Sequence, residues 1–462
     1  MRSRFGSKLV GLFLLLAAIH AAHGQTNFTM LQSFNVPNGL DPYGPVLLAS
    51  NGLFYGTTIA GSTSNYGTVY QVNTDGSHFS TVKFFQGTDG QSPEGGVVEG
   101  PDGALYGTTF QGGISNFGTI FKMNKDGSGF NSFHSFTGGA DGKNCQAGLL
   151  LGSDGALYGT TVFASSSTRG TIFKVTNNGS NYTIIHNFTG NPDGQQPAAR
   201  LMESTNGFLY GTTPFGGSHV AGTIFTLDKN GNNYLVIYNF GTIASDGTSC
   251  VNGLIEGSDG VLYGMTQSGG GTSNSGTIFS INNDGNNYQI IHRFSTAGTD
   301  GQHPVGNLVE GANGFLYGMT GIGGTAGRGI VFRIDKTGTN YAILRTFTTG
   351  AGDGQSPEAG LISLTNGWLC GTTQMGGDFG VGSIFFLSST PPLPRILSLT
   401  TSSQTNSLLA AGTYALPYDF QRSQDLSTWT NLLTLTAPYD GRFTCVDSNP
   451  PPGAAFYRLH QH

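Results

Sequence analysis

The chain has 462 residues, of which 75 are glycine and only 10% are charged. A formal net charge of −6 provides no electrostatic basis for binding nucleic acid or an anionic membrane. The length suits one large domain followed by a small one.

The N-terminus has the pattern of a secretory signal peptide. Three basic residues precede the apolar run 9–19, and small residues follow up to Gly24. The run is short for a membrane span, and no second apolar stretch follows. Residues 1–24 are therefore predicted to be a signal peptide, with an uncleaved anchor helix as the alternative. We expect a monomer without a membrane span after cleavage, secreted or located in the cell envelope.

A Tyr-Gly-Thr-Thr phrase or a close variant recurs through the chain. It begins at Tyr55, Tyr106, Tyr158, Tyr210, Tyr263, Tyr317 and Cys370, in steps of 51, 52, 52, 53, 54 and 53 residues. A step near fifty with strand-like content is typical of β-propeller repeats. The fold class is therefore predicted to be all-β.

Each repeat contains four strand-like runs, joined in part by Asp-Gly or Asn-Gly turns that favour hairpins. The last repeat supplies three runs and stops at Leu387, and a matching fourth run lies at 28–35. This offset predicts a seven-bladed β-propeller over 25–389, with four strands per blade and the N-terminal strand closing the last blade.

The first run of each repeat is expected to be the innermost strand, because it begins with a small residue that suits a crowded axis. These residues are Gly44, Gly95, Ala147, Ala199, Asn252, Gly306 and Ala359. Strand direction then places the second-to-third and fourth-to-first loops on one face, here called the variable-loop face. These loops vary most in length, so this face is the expected partner surface.

A second region follows a proline-rich linker at 390–394. Residues 395–462 are predicted to form a small β-sandwich-like module, anchored by aromatic residues that include Tyr418, Phe420 and Trp429.

The repeated Asp/Asn-Gly-x-Leu-Tyr-Gly-Thr-Thr phrase, the Gly-Gly loop and the Gly-Thr-Ile-Phe-Lys run resemble the GloVer tandem-repeat family of exported bacterial proteins over about 28–387. Residues 418–458 resemble a short C-terminal module of secreted Verrucomicrobia proteins. The resemblance implies export and supplies no activity and no catalytic residues. The first and third repeats lack the glycine doublet, and Cys370 replaces the tyrosine of the seventh.

An Asx-Gly step precedes every predicted innermost strand. Its first residues are Asn38, Asp89, Asp141, Asp193, Asp246, Asp300 and Asp353. They would ring the channel mouth on the variable-loop face, as a cation site or as polar groups for a ligand. The favoured interpretation is turn chemistry, because Asp bonds its own backbone and Gly accepts positive φ.

Two further polar sets recur at equivalent positions. Glu99, Glu203, Glu256 and Glu310 end predicted innermost strands, where carboxylate pairs could act in a glycosidase. Their repetition argues against catalysis, since acid and base need different environments. His134, His186 and His292 share a fourth-strand slot that we interpret as a solvated outer face.

Aromatic residues just past the Thr-Thr step are candidates for stacking on sugars. They are Phe110, Phe163 and Phe215. The four cysteines, Cys145, Cys250, Cys370 and Cys445, form no CxxC pair and are expected to be unpaired packing residues. No metal site and no cofactor are predicted.

These features favour an exported, non-enzymatic binding or scaffold propeller that recognises extracellular polysaccharide or a surface protein. One alternative is a carbohydrate-active hydrolase or lyase with its site at the channel mouth. The other is a structural or adhesive cell-envelope protein docked by its C-terminal module.

Overall fold

The computed structural model describes residues 28–61, 64–164, 169–177, 179–350, 352–364, 367–388, 395–401, 405–411, 417–425, 427–436, 442–451 and 455–461. The predicted signal peptide and linker lie outside these residues. The described chain divides into two compact units, a repeat unit at 28–388 and a C-terminal unit at 395–461. All their named elements are β-strands, so the all-β prediction is confirmed. Among these residues, no helix offers the length and apolarity needed to span a membrane.

The repeat unit contains seven four-stranded antiparallel sheets, numbered here in chain order. Sheet 1 comprises Leu47–Leu48, Leu53–Thr58, Thr68–Asn73 and Ser80–Phe84, and sheet 2 comprises Val97–Glu99, Leu105–Thr109, Thr119–Met123 and Asn131–Ser135. Sheet 3 comprises Leu150–Leu151, Ala156–Thr161, Thr171–Thr176 and Thr183–Asn187, and sheet 4 comprises Met202–Glu203, Leu209–Thr213, Thr223–Leu227 and Leu235–Asn239. Sheet 5 comprises Ile255–Glu256, Leu262–Thr266, Thr277–Ile281 and Gln289–Arg293, and sheet 6 comprises Gly301–Glu310, Leu316–Gly323, Ile330–Ile334 and Ala342–Thr346.

Sheet 7 combines both ends of the repeat unit. It comprises Ile362–Ser363, Trp368–Thr373, Ser383–Ser388 and the N-terminal strand Phe28–Ser33. In the register, Phe28 lies opposite Leu387 and Ser33 lies opposite Ser383. The N-terminal strand thus occupies the predicted edge position in the last sheet.

Seven buried hydrophobic clusters lie between sheets that follow one another in the chain. One of them joins Phe121 of sheet 2 to Tyr55 of sheet 1, and the same arrangement recurs through the unit. The seventh joins Cys370 and Ile384 of sheet 7 to Phe54 of sheet 1. The first and last sheets therefore share a core in the same way as their neighbours.

The repeated phrase has a packing explanation. A Cβ at Gly107 would lie only 2.5 Å from Cζ of Phe121 on the next strand, so glycine makes room for the aromatic ring. The second threonine is fully buried, and its hydroxyl bonds the threonine that opens the third strand, as in Thr109 and Thr119 at 3.0 Å. These contacts explain why the phrase recurs, although Ile330 and Ser383 replace the threonine that opens the third strand in sheets 6 and 7.

The innermost strands begin later than predicted. Six of the seven small-residue positions lie two to three residues upstream of the assigned strand, and only Gly306 lies within one, Gly301–Glu310. The crowding argument itself holds: a Cβ at Gly95 would clash with the backbone of Ala147 and Gly148 in the next repeat. Close backbone approach between neighbouring sheets replaces regular pairing there.

On the variable-loop face, each fourth-to-first loop pairs with the second-to-third loop of its own repeat. Three of these pairings form two-stranded sheets: Gly194–Gln195 with Phe215–Gly216, Gly247–Thr248 with Ser268–Gly269, and Gly354–Gln355 with Met375–Gly376. Sheet 6 contains the equivalent pairs within its long strands, and isolated bridges such as Lys143 with Phe163 occur in the first three repeats. The variable loops are therefore held by backbone bonds.

The C-terminal unit consists of two three-stranded antiparallel sheets. One contains Arg395–Thr401, Asn406–Ala411 and Arg442–Asp447, and the other contains Thr430–Thr436, Pro417–Ser423 and Phe456–Gln461. Leu408 and Cys445 of the first sheet share a buried cluster with Tyr418 and Phe420 of the second.

Candidate functional site

A cavity of about 710 Å³ is lined by segments that lead into the innermost strand of every sheet. The residue just before each small-residue position forms one level of its lining. Around this level the residues are Tyr43, Glu94, Gln146, Ala198, Val251, Val305 and Glu358. This level lies at the variable-loop end of the cavity, because each residue directly follows a fourth-to-first loop.

The level is divided into a polar side and an apolar side. Glu358, Tyr43, Glu94 and Gln146 come from sheet 7 and the first three repeats, and we call them the polar arc. Ala198, Val251 and Val305 complete the level from the next three repeats. The cavity mouth is therefore asymmetric although the fold repeats.

The polar arc holds two carboxyl groups without a compensating cation. Burial raises the pKa of Glu94 and that of Glu358 to about 7. Burial also raises the pKa of Tyr43 to about 12, and the charges of Glu358 and Glu94 add to this shift. Within the described chain, neither glutamate forms a hydrogen bond or ion pair. Near neutral pH each glutamate can therefore give or take a proton.

Arg200 and Asn252 line the same cavity. Enclosure by protein atoms lowers the pKa of the Arg200 guanidinium, although the side chain stays accessible from the cavity. Asn252 is only 4% exposed, and its amide nitrogen donates to the Pro304 carbonyl at 3.0 Å. No described residue donates to the amide oxygen of Asn252 or pairs with Arg200. The cavity thus presents unsatisfied donors and acceptors.

The Asx-Gly aspartates bond the fourth strand of their own repeat. Five of them pair with the fourth-strand slot of the same sheet: Lys83 with Asp89, His134 with Asp141, His186 with Asp193, His292 with Asp300 and Arg345 with Asp353. In the sixth, Tyr238 donates to Asp246 at 2.8 Å. None of these aspartates lines the cavity. Bonds of this kind are expected of residues that close a loop. A role of these aspartates in ligand binding stays a prediction.

An aromatic ring from the next sheet covers each of these pairs, and we call the assemblies joints. Tyr234 stacks on His186 with ring centroids 3.7 Å apart and donates its hydroxyl to Asp193. Tyr182, Tyr288 and Tyr341 stack in the same way, and Phe130 and Phe28 cover Lys83 and Arg345. The histidine side chains are only 15–19% exposed, so the interpretation of this slot as a solvated outer face is wrong.

The repeated glutamates bind the turn of the preceding repeat. Glu203 accepts from the backbone N–H and the hydroxyl of Ser153 at 2.8 and 2.7 Å, and Lys229 lies 2.5 Å away. Glu99, Glu256 and Glu310 make the equivalent contacts. Burial opposes ionisation of Glu203, but the bonds from Lys229 and Ser153 outweigh it and lower its pKa. These structural contacts explain why a glutamate recurs at this position.

The predicted aromatic platforms differ in exposure. Phe215 is 42% exposed on the variable-loop face, whereas Phe110 and Phe163 are half-buried. Ile322 and Met375 occupy the position equivalent to Phe215 and are 41% and 45% exposed. The structure therefore adds two apolar residues to this surface.

All four cysteines are buried and free, as predicted. In the part of the chain that the structure describes, no group of three or more His, Cys, Asp or Glu side chains is placed to hold a metal ion.

The polar arc was missed by sequence reasoning. Its residues differ from repeat to repeat, so the periodic pattern that identified the Asx-Gly and glutamate sets did not point to them. A usable signal was present: each arc residue stands directly before a small-residue position that had already been assigned to the axis.

A model of the Gloeobacter/Verrucomicrobia repeat matches residues 18–203 and 146–385. The chain belongs to this repeat family. No curated protein matches the chain.

Among solved structures, the chain is similar to a protein described as the extracellular domain of a one-component system from B. thetaiotaomicron. The identity is 10%, the TM-score is 0.50, and the match covers 95% of this chain and 56% of the other. The chain thus spans little more than half of that protein, and the likeness concerns the fold alone.

Two further similar structures have lower scores. A protein assigned as a 6-phosphogluconolactonase from Bacteroides uniformis is 11% identical, with a TM-score of 0.45 and coverage of 86% and 98%. The periplasmic gluconolactonase of Pseudomonas aeruginosa is 14% identical, with a TM-score of 0.44 and coverage of 73% and 100%.

Proposed function

We propose that the seven sheets are the blades of a closed seven-bladed β-propeller that works as a non-enzymatic binding or scaffold protein. The shared core between sheet 7 and sheet 1 supports ring closure, as does the pairing of Phe28–Ser33 with Ser383–Ser388. The protein would be secreted or held in the cell envelope, where its ligand is an extracellular polysaccharide or a surface protein.

The cavity mouth is the observation that carries this proposal. The carboxylates that repeat through the fold are engaged by neighbouring side chains, whereas Glu94 and Glu358 at the mouth have no described partner. Binding sites typically combine a concave, mostly apolar surface with a few convergent polar groups. The exposed Phe215, Ile322 and Met375 extend this surface on the same face.

The test is binding of purified residues 25–462 to a broad polysaccharide and glycan panel, with and without calcium, with product release read from the same wells. Saturable binding without product supports the proposal. The absence of binding to any member of the panel contradicts polysaccharide recognition and leaves a protein partner or a structural role in the envelope. Product release favours the alternative of a hydrolase or lyase at the channel mouth.

The matched variants for this test are Phe215→Ala on the variable-loop face and Phe84→Ala, which changes a side chain of similar exposure on a fourth strand. The proposal expects weaker ligand binding for the first variant alone. Equal binding by both variants would remove Phe215 from the ligand surface.

A further inference from the structure

The two glutamates of the cavity mouth lack the basic partners that most of the repeated carboxylates have. Glu99, Glu203 and Glu310 each have a lysine within 2.5 to 2.9 Å, and five Asx-Gly aspartates have a basic partner. Glu94 and Glu358 have neither. Glu94 and Glu358 are half-buried in the cavity wall, and their oxygens stay available to an external partner because none in the described chain engages them.

The two glutamates without a partner belong to the same level of the cavity lining. Tyr43 comes from the repeat between those of Glu358 and Glu94, and the charges of both glutamates act on its hydroxyl. The Glu358 carboxyl lies beside sheet 6, where its Oε1 would be 3.6 Å from a Cβ at Gly321. Two carboxyl groups and one hydroxyl from three successive repeats thus line the variable-loop end of the cavity.

The other residues at the cavity mouth limit which ligand can bind to the two glutamates. Ala198, Val251 and Val305 face the arc with small or aliphatic side chains, which suit the apolar face of a ring. Asn252 lines the same cavity and is only 4% exposed, and no described residue donates to its amide oxygen. The complementary group is a cation with several N–H donors, attached to a compact body with both polar and apolar faces.

We propose that the polar arc binds the protonated amine of an amino-sugar unit in a polysaccharide. This inference rests on the proposed function and names the ligand class of its site. The ammonium group donates to Glu94 and Glu358, the Tyr43 hydroxyl and the Gln146 amide bond neighbouring sugar hydroxyls, and the ring lies against the apolar side. Arg200 donates to a hydroxyl or ring oxygen of the next sugar unit.

The primary test uses ligands that differ only in the amine. A glucosamine hexamer, an N-acetylglucosamine hexamer and a glucose hexamer are titrated into residues 25–462 at pH 7 and low salt by calorimetry. Charge-assisted hydrogen bonds are about twice as strong as neutral ones, so we expect the glucosamine hexamer to bind about tenfold tighter or more than the other two.

The variants separate the site from overall charge. Glu94→Gln/Glu358→Gln is compared with Glu203→Gln/Glu256→Gln, which replaces the same number of carboxyl groups at the turns. Only the first double variant is expected to lose the tenfold preference for the amine. A thermal unfolding curve for each variant shows whether it is folded, and the single variants Glu94→Gln and Glu358→Gln serve if a double variant is not.

The outcomes distinguish this inference from the proposed function. Binding of all three hexamers with equal affinity, unaffected by Glu94→Gln/Glu358→Gln, overturns the inference and leaves polysaccharide binding standing. Equal losses in both double variants also overturn it, because net charge would then explain the preference. A lysine-rich peptide that binds the arc while every hexamer fails overturns it in favour of a protein partner.

Discussion

The joints and the polar arc both contain carboxyl groups and show opposite electrostatic arrangements. In a joint, Asp193 accepts from His186, Tyr234 and backbone N–H groups, and burial is balanced by these bonds. In the polar arc, Glu94 and Glu358 are half-buried in the cavity wall and have no such bonds. Charged groups with partners at the joints stabilise a repeat, whereas the unpaired groups of the arc are available to a ligand. The comparison teaches that repetition marks structure in this fold, and departure from repetition marks the candidate site.

The largest expected effect is the difference in stability between a substitution in a sheet core and one on the exposed face. Phe225 is fully buried between sheets 3 and 4, so Phe225→Ala should lower the free energy of unfolding by about 3–5 kcal/mol. Urea unfolding followed by fluorescence measures this change. Phe215→Ala, ten residues earlier and 42% exposed, is the control and should cost less than about 1 kcal/mol. Similar losses would contradict the assignment of these two faces.

The second prediction breaks one joint. Asp193→Ala leaves the Tyr234 hydroxyl and the N–H groups of Thr189 and Gly194 without their acceptor, which should cost about 1–3 kcal/mol. Asp75→Ala removes an exposed turn aspartate that bonds Ser77 and should cost less than half as much. Equal unfolding midpoints for both variants would show that the joint adds nothing beyond a turn.

The third prediction uses pH, because the two regions respond in opposite directions. The folded-state pKa of Glu94 and of Glu358, about 7, lies above the ordinary value of 4.5, so their contribution to stability is present below pH 4.5 and is lost as pH rises through about 7. Glu94→Gln/Glu358→Gln should therefore gain on the order of 1–2 kcal/mol relative to the unmodified protein at pH 8, and the gain should vanish by pH 4.5.

The joints supply the contrast for that titration. Burial lowers the pKa of His134 below 6.5, an effect that Asp141 opposes, so this group's contribution is present above pH 6.5 and is lost as pH falls through the lowered value. His134→Phe should flatten the stability profile on the acid side only. A profile for the glutamate variant parallel to that of the unmodified protein would contradict the unpaired state of the arc.

The smallest expected effect concerns the turn glutamates. Glu203 has a lysine neighbour and Glu256 bonds Thr205 without one, so Glu203→Gln should cost up to about 1 kcal/mol more than Glu256→Gln. Thermal melts at low salt and at 1 M salt measure the difference. The difference should shrink in high salt, since screening acts on the partly exposed Lys229–Glu203 pair. A difference independent of salt would point to packing.

Much of the fold follows from local sequence signals. The Tyr-Gly-Thr-Thr step, the Asx-Gly turns and the missing fourth run of the last repeat predicted four-stranded units and the placement of 28–35 in the last repeat. The structure pairs Phe28–Ser33 with Ser383–Ser388 there. The innermost strands were predicted too early because close backbone approach at Gly95 disfavours regular pairing, which composition does not reveal.

Sequence periodicity alone determined the repeat, its three outer strands and the position of the N-terminal strand, because hairpin turns and side-chain alternation act over a few residues. Only the tertiary structure decided which polar groups have partners. Each joint combines two residues six to eight positions apart with a ring from the next sheet. The polar arc brings together one residue from each of several repeats, and two of these residues, Tyr43 and Glu358, are more than 300 positions apart. Pairing and burial depend on that convergence, and a carboxyl group's chemistry follows from its surroundings.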